Sequence, residues 1–247
     1  MKKPDDDYAA KWEEVARHEP YFALLADHGE AGVESNAVAN DAFFKTGEDD
    51  IAALLAAIAT LFSRDVRLDS VVDFGCGAGR LTLPLARRAG HVLACDVAPT
   101  MLSHARQNAE RAGLHNITFQ SCDDVTASAG PSFDFVCSLL VFQYIPPSIG
   151  YALIRSLTKL LRGDGVMALQ LRLHGSGNLH RLASLSRGRR RFAQVHRYDE
   201  RLVARAVETA GASVVARLPV DNRSSGDAVL IVQLENEEQS VHPTSVG

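Results

Sequence analysis

The most constraining feature of this 247-residue chain is a short apolar run that stops at three alternating glycines and continues as a helical pattern. Residues 70–74 have the composition of a buried strand, and the glycines are Gly75, Gly77 and Gly79. Glycine tolerates positive φ and lets a ligand lie against bare backbone, and the following helix contributes the positive end of its dipole. The segment therefore predicts a strand, a tight turn and a helix, with a ligand-contacting turn at the carboxyl end of the strand.

Helical and strand patterns alternate from residue 48 onward. Apolar residues within 51–62 follow helical spacing, with Thr46 as the candidate N-cap, and Pro99 and Gly113 mark the start and end of another helix. Further helices are predicted at 81–89, 147–162 and 199–210, and strands at 70–74, 91–97, 116–122, 133–140, 166–173, 213–220 and 228–234. This alternation predicts an α/β fold with a doubly wound, mostly parallel sheet. Since no helix separates the last two strands, we expect them to form an antiparallel C-terminal hairpin.

Length and composition favour one large domain with attachments. The chain has 26 Lys and Arg against 30 Asp and Glu, which is not the balance of a general nucleic-acid binder or a polybasic membrane protein. The longest apolar run, 51–62, is too short to span a bilayer, and no signal-peptide pattern is found, so we expect a cytoplasmic protein. We predict an N-terminal helical extension at 1–45, a main domain at 46–235 and a loose tail at 236–247.

The cysteines predict neither a disulfide nor a metal site. They are Cys76, Cys95, Cys122 and Cys137, and no two of them have the CxxC spacing of zinc or redox sites. Each lies in or beside a predicted strand. We therefore expect small buried thiols.

Acidic residues follow the predicted strands in a regular way. The dinucleotide fingerprint GxGxxG is not met, because its third glycine would fall on Arg80; instead Asp73 precedes a GxGxG turn. Asp96 ends the next predicted strand, where a carboxylate reaches the hydroxyls of a ribose. Asp123 ends the third predicted strand, where a side chain can contact the exocyclic amine of an adenine.

These motifs in this order resemble the class I S-adenosylmethionine-dependent methyltransferases, over roughly residues 45–234. The resemblance implies a Rossmann-like fold, S-adenosylmethionine as the cofactor, glycines beside its methionine part and Asp96 on its ribose. It also implies that Asp73 orients the loop and the amino group, and that Asp123, with Asp124 as the alternative, lies at the adenine. The implied cofactor site comprises Asp73, Gly75, Cys76, Gly77, Gly79, Asp96, Val97, Met101, Asp123, Asp124 and Ser138.

Negative evidence after the fourth predicted strand narrows the acceptor. Residues 138–147 lack the acid/Asn-Pro-Pro-aromatic signature of exocyclic-amine DNA methyltransferases, a Pro-Cys nucleophile and an Asp/Asn cluster for magnesium. We therefore expect methyl transfer to an O or N atom of a small metabolite, in natural-product or cofactor metabolism. Tyr144 in this segment is a candidate catalytic residue that hydrogen-bonds the acceptor; its structural alternative is to cap the edge of the sheet.

Two regions are expected to build the acceptor pocket. The N-terminal 45 residues hold 6 of the 16 aromatic residues, and Tyr8 and Trp12 are the predicted substrate contacts; packing on the sheet is the alternative. The second region is a substrate-side insert at 174–198, within a segment, 171–201, that carries 8 Arg and 2 acids. We predict His174 as a general base and Arg172 and His196 as substrate ligands, against the alternative of a solvated charged face.

Two other functions compete with this prediction. The basic segment 172–201 would suit an RNA methyltransferase, although the overall charge makes a nucleic-acid partner the weaker expectation. A catalytically silent cofactor-binding domain is the other alternative, and the presence of Asp96 argues against it. We expect a small-molecule substrate, no membrane partner and a monomer or homodimer.

Overall fold

A computed structural model describes residues 4–18, 20–21, 37–127, 132–174, 194–220 and 227–235. Its helices are α1 (Pro4–His18), α2 (Ala37–Phe62), α3 (Thr82–Ala86), α4 (Pro99–Arg111), α5 (Cys122–Ala127), α6 (Pro147–Thr158) and α7 (Glu200–Glu208). Its strands are β1 (Ser70–Phe74), β2 (His91–Asp96), β3 (Ile117–Ser121), β4 (Phe133–Ser138), β5 (Leu161–Arg172), β6 (Ala212–Pro219) and β7 (Asp227–Leu234). A 3₁₀ turn, Phe142–Tyr144, follows β4.

The strands form one seven-stranded sheet in the order β3-β2-β1-β4-β5-β7-β6. Strands β1 to β5 pair in parallel, and β7 pairs antiparallel with both β5 and β6. The predicted fold class, a mostly parallel doubly wound sheet with an antiparallel C-terminal pair, is confirmed. The chain reverses its direction across the sheet between β1 and β4, and ligands of such sheets bind at the carboxyl ends of the strands at this point.

Two hydrophobic layers cover the faces of the sheet. Alternating residues of β1 point to opposite faces, so Val72 belongs to the layer with α6 and α7, and Val71 to the layer with α2, α3 and α4. Both of these residues are fully buried. Since both faces of the parallel strands are covered, the consecutive residues Val71 and Val72 of β1 are both apolar, and the strand lacks an alternating pattern.

Several predicted boundaries are wrong. Helix α2 begins at Ala37, so Thr46 is not an N-cap; its Oγ1 donates 2.7 Å to the carbonyl oxygen of Phe43 inside the helix. Strand β3 ends at Ser121, and Asp123 therefore lies in the first turn of α5 rather than at the end of a strand. Short polar runs after strands carry weak helical periodicity, which explains why α5 was not predicted.

The predicted division into extension, domain and tail stays a prediction. Helix α2 runs through the proposed boundary at 45/46, and residues 236–247 lie outside the described residues. Most of the predicted insert, residues 175–193, also lies outside them. Within the described residues, no helix combines the length and apolar character that crossing a membrane requires.

Candidate active site

The glycine turn after β1 has the conformation that its sequence requires. Gly75, Gly77 and Gly79 have φ of 78°, 54° and 95°. The amides of Gly75 and Cys76 both donate 2.8 Å to the carbonyl oxygen of Cys95, which ties the turn to β2. A Cβ on Gly75 would collide with the side chain of Val141, whereas a Cβ on Gly77 would meet nothing within 4 Å. The backbone at Gly77 is therefore open to a ligand.

Asp96 holds this turn from the neighbouring strand. Its Oδ2 accepts from the amide of Gly77 and its Oδ1 from the amide of Ala98, both at 2.9 Å. Burial raises the pKa of Asp96, while these backbone donors oppose the shift. Each carboxylate oxygen keeps a further lone pair, and only 9% of the residue is exposed, so Asp96 is shaped to receive hydroxyl donors from a bound ligand.

Asp73 is buried beneath the glycine turn and does not contribute to the lining of the cavity described below. Its Oδ2 accepts 2.6 Å from the hydroxyl of Thr82 at the start of α3. Burial raises the pKa of Asp73 to about 6. The predicted role in orienting the loop fits this contact.

A cavity of about 370 Å³ lies at the carboxyl ends of β1 to β4. This volume is within the range of small-molecule and cofactor sites. Its lining comprises Ala9, Trp12, Phe74, Gly75, Gly77, Asp96, Val97, Met101, Ser121, Cys122, Asp123, Leu140, Val141, Tyr144, Ile145, Pro146, Ile149 and Leu153. The fold thus brings together predicted residues from α1, the glycine turn, β2, α4, α5 and the 3₁₀ turn.

Other predicted cofactor residues lie outside this lining. Cys76 is buried, and Gly79 packs against Leu83 and α4. Ser138 donates 2.9 Å from its hydroxyl to a carbonyl of β1, so it joins two strand ends. Asp123 and Asp124 are both exposed, and of the two only Asp123 belongs to the cavity lining.

Sequence reasoning singled out Tyr144 in the segment after β4, but it missed Leu140 beside that segment and the wall contributed by α6. Leu140 has a φ of 62°, and its amide donates 3.2 Å to Oε1 of Gln170 on β5. A buried non-glycine residue with positive φ marks local strain of the kind found at functional sites. Leu140 is the last residue of the predicted strand 133–140, and this position at a strand end was a usable signal, whereas nothing in the sequence singled out Ile149 and Leu153 on α6.

Trp12 and Tyr144 border the cavity together. Their ring centroids lie 5.2 Å apart with the planes at 69°, an edge-to-face contact. Tyr144 is 8% exposed, and its amide donates to the carbonyl oxygen of Val141 within the 3₁₀ turn. The side chain of Tyr8 lies outside what the structure describes.

The predicted basic residues do not line the described cavity. Arg172 forms an ion pair with Asp227, its partner on β7, with Nε–Oδ1 of 3.0 Å. His174 is exposed and its amide donates 3.0 Å to the carbonyl oxygen of Tyr198. His196 is half-buried and its amide donates to the segment that precedes Tyr144. The roles of these three residues in substrate binding or catalysis stay predictions.

The comparison with known families agrees with this geometry. Residues 71–165, which run from β1 into β5, match a family model described as a methyltransferase domain. Residues 71–165 therefore carry a methyltransferase domain of the class I, S-adenosylmethionine-dependent type. The predicted family and its cofactor, S-adenosylmethionine, are confirmed at this level.

Relatives of this methyltransferase domain differ in the extent of the match. A ubiquinone biosynthesis O-methyltransferase of Ruegeria sp. (strain TM1040) is 30% identical over 119 residues, 46% of this chain and 47% of the relative. A 23S rRNA (uracil(1939)-C(5))-methyltransferase of Salmonella typhimurium is 50% identical over 56 residues, 22% of this chain and 13% of the relative. The chain thus spans about half the length, or less, of these curated relatives.

A solved structure shares the fold over nearly the whole chain. It is the magnesium protoporphyrin IX methyltransferase from Synechocystis PCC 6803 with bound SAH, which matches with a TM-score of 0.64 and 21% identity. The match covers 90% of this chain and 98% of the other. At this identity the likeness establishes the fold of the methyltransferase domain.

The electrostatics of the cavity suit a cationic cofactor. Asp96 and Asp123 supply its carboxylates, and the rest of the lining is largely apolar. A low-dielectric cavity with acidic groups attracts positive charge and excludes water. The lining thiol of Cys122 lies 3.4 Å from the sulfur of Cys95, and this hydrogen bond together with burial raises its pKa well above the ordinary value. The thiol is therefore protonated at neutral pH and a poor nucleophile.

Proposed function

We propose that the protein transfers the methyl group of S-adenosylmethionine to an O or N atom of a small, uncharged and largely apolar metabolite. The carrying observation is the cavity at the switch point, where the open backbone of Gly77, the carboxylate of Asp96 and the carboxylate of Asp123 face one space. In this arrangement Asp96 binds the ribose, Asp123 and Val97 surround the adenine, and the glycine turn contacts the methionine part.

The chain's own contribution is to bind, orient and exclude water. S-adenosylmethionine supplies an electrophilic methyl group on a positively charged sulfur. Leu140, Tyr144 and Trp12 lie on the wall beyond the glycine turn and would hold the acceptor in line with that methyl group. Holding two reactants in attack geometry replaces a bimolecular encounter by an effectively unimolecular step. The hydroxyl of Tyr144 would hydrogen-bond the acceptor atom.

The chemical class of the acceptor is inferred from the residues that form the cavity walls. Among the lining residues that the structure describes, none is Lys, Arg or His. The predicted substrate ligand Arg172 is already paired with Asp227 on the adjacent strand. A charged acceptor would lack a counter-ion on these walls, so an uncharged ring system fits best. The small-molecule names of the ubiquinone and protoporphyrin relatives agree with a biosynthetic setting.

An RNA methyltransferase is the second candidate. It is favoured by the 50% identity to the rRNA enzyme, a match confined to 56 residues. The protonated state of Cys122 argues against a pyrimidine-ring mechanism that requires a thiolate. An overall charge of −4 also argues against a protein that binds a polyanion.

Binding and transfer can be tested on the same protein. We expect S-adenosylhomocysteine to bind with micromolar affinity in calorimetry, and Asp96→Ala to weaken binding by roughly 1.5–3 kcal/mol, the contribution of hydrogen bonds to a charged group. Glu110→Ala is the matched control, because Glu110 is an exposed carboxylate near the far end of α4. Unchanged affinity in Asp96→Ala would remove Asp96 from the site.

Methyl-labelled S-adenosylmethionine then identifies the acceptor class. We expect label to enter the low-molecular-mass fraction of a cell extract and to be absent from the RNA fraction. The same label in RNA, with affinity for RNA falling steeply with salt, would favour the second candidate. No binding of S-adenosylhomocysteine at all would reject both.

A further inference from the structure

The carboxylate of Glu13 on helix α1 hydrogen-bonds the start of α4. Oε2 of Glu13 accepts 3.1 Å from the amide of Thr100, and Oε1 accepts 2.5 Å from the hydroxyl of Thr100. The two residues are 87 positions apart in the chain. This contact is therefore tertiary and was not predictable from local sequence.

The carboxylate of Glu13 supplies a hydrogen-bond acceptor that the N-cap of α4 lacks. The N-cap is Ala98, which has no side chain that can accept a hydrogen bond, and Pro99 has no amide hydrogen. The amide of Thr100 is thus a free donor of the first turn, and such donors need partners. Glu13 supplies the missing cap from another helix. The hydroxyl of Thr100 is the main cause that holds the pKa of Glu13 below its usual value.

The start of α4 also contacts Asp96, the carboxylate proposed to bind the ribose of the cofactor. Asp96 accepts from the amide of Ala98, and Glu13 accepts from the amide of Thr100, two residues further on. The positive end of the helix dipole favours both carboxylates. A displacement of the first turn of α4 would therefore change the hydrogen bonds of both Glu13 on α1 and Asp96.

The neighbours of Glu13 on α1 lie over the cavity. Trp12 and Ala9 contribute to its lining, and Trp12 contacts Tyr144 on the opposite side. Val15 and Ala16 pack against Ala98 and Met101 of α4. Helix α1 thus touches both sides of the cavity, and Glu13 contributes two hydrogen bonds on the side of α4.

We propose that Glu13 is a positioning residue, which holds Trp12 over the cavity by capping α4 and thereby sets how fast the bound cofactor leaves. The proposal rests on the proposed function, because it takes the cavity to be the cofactor site. Glu13 acts through Thr100 and Trp12 and is not itself a cofactor ligand. The hydrogen bonds between Glu13 and Thr100 must break before α1 can move away from the cavity. They therefore contribute to the barrier for cofactor release.

The chain offers a direct optical readout and a matched control. Trp12 is the single tryptophan, so its fluorescence and its quenching by acrylamide report how well α1 covers the cavity. Glu14 lies beside Glu13 on the same helix and is exposed, so Glu14→Ala removes the same charge without touching α4. Stopped-flow displacement of S-adenosylhomocysteine gives the dissociation rate in each variant.

We expect Glu13→Ala to release S-adenosylhomocysteine roughly tenfold faster than the wild type, as expected for lost hydrogen bonds to a charged group. Its Trp12 should be more easily quenched, while Glu14→Ala should match the wild type in both measurements. Glu13→Gln keeps an acceptor oxygen for Thr100 and should fall between the two. Thr100→Val should add little to Glu13→Ala, because the hydroxyl bond that it removes is already lost with the carboxylate of Glu13.

Other outcomes would overturn the proposal. If Glu13→Ala and the wild type show equal release rates and equal quenching, the apolar contacts of Val15 and Ala16 hold α1 and Glu13 does not. If Glu13→Ala loses thermal stability and Glu13→Gln does not rescue the release rate, the residue has only a general structural role. If wild-type protein does not bind S-adenosylhomocysteine, the proposed function fails, while quenching in the unliganded variants still tests the cap.

Discussion

At the residue scale, the two buried carboxylates of the site differ in what they contact. Asp96 accepts from two backbone amides and faces the cavity, whereas Asp73 accepts from the hydroxyl of Thr82 and lies outside its lining. Burial raises the pKa of both. Asp73 on β1 is adjacent to β2, and the charge of Asp96 adds to its shift. Ionisation of these two buried carboxylates, which hold the glycine turn, therefore lowers the stability of the folded protein.

This cost gives a testable pH dependence for Asp73. Its pKa is about 6 in the folded protein against 3.8 as the ordinary value, so the folded state binds the proton more tightly. The resulting stabilisation is complete below pH 3.8 and is lost as the pH rises through 6. Asn at this position carries no charge and can still accept from Thr82. We expect the free energy of unfolding of Asp73→Asn, relative to wild type, to rise by about 2–3 kcal/mol between pH 4 and pH 8.

Urea unfolding at several pH values measures this difference. The exposed residue Asp65 provides the control, and the difference between Asp65→Asn and wild type should stay flat over the same range. Parallel curves for Asp73→Asn and wild type would show that Asp73 titrates normally.

At the element scale, α2 docks on the glycine turn through Arg80. This residue is 5% exposed, and its Nη1 lies 2.5 Å from Oδ2 of Asp50 and 3.3 Å from the hydroxyl of Thr46. Gly47 lies on the same helix, and a Cβ there would collide with the carbonyl of Arg80. Arg80 stands where a dinucleotide turn would have glycine, and the structure gives it a role: it anchors α2.

The close approach at Gly47 reverses the usual helix propensity. An Ala in a helix interior is normally more stable than Gly by about 1 kcal/mol. Because the added methyl group would meet backbone, we expect Gly47→Ala to lower the free energy of unfolding by roughly 1–3 kcal/mol, as for an overpacked core. Ala53→Gly at an exposed position of α2 is the control and should lose about 0.5–1 kcal/mol. A gain of stability in Gly47→Ala would show that α2 is not held against Arg80.

At the scale of the whole molecule, the sheet order assembles the site from distant segments. Trp12, Asp96, Asp123 and Tyr144 come from α1, β2, α5 and the turn after β4, and they meet because these elements end at one edge. A ligand in this cavity would contact residues from α1, α4, α5 and α6 and from the ends of the strands. Its binding should therefore stabilise the whole molecule and not one loop.

Thermal unfolding can measure this linkage. A ligand at 100 times its dissociation constant adds about 2.7 kcal/mol, which for a chain of this size raises Tm by roughly 5–10 °C. We expect S-adenosylhomocysteine to give such a shift and NAD to give none, because Arg80 replaces the third glycine of a dinucleotide turn. Equal shifts with both ligands would contradict the assignment of the cavity to one cofactor class.

The amino-acid sequence by itself determined the parallel sheet, the positions of most strands, the glycine turn and the location of Asp96. These features depend on local periodicity and on which residue follows a strand, and both are properties of neighbours in the chain. Only the tertiary structure decided that Arg172 pairs with Asp227, because β7 enters the sheet beside β5. The same is true of the cap that Glu13 places on α4 and of the wall that α6 contributes. Such contacts depend on strand order and helix docking, for which a single sequence carries no periodic signal.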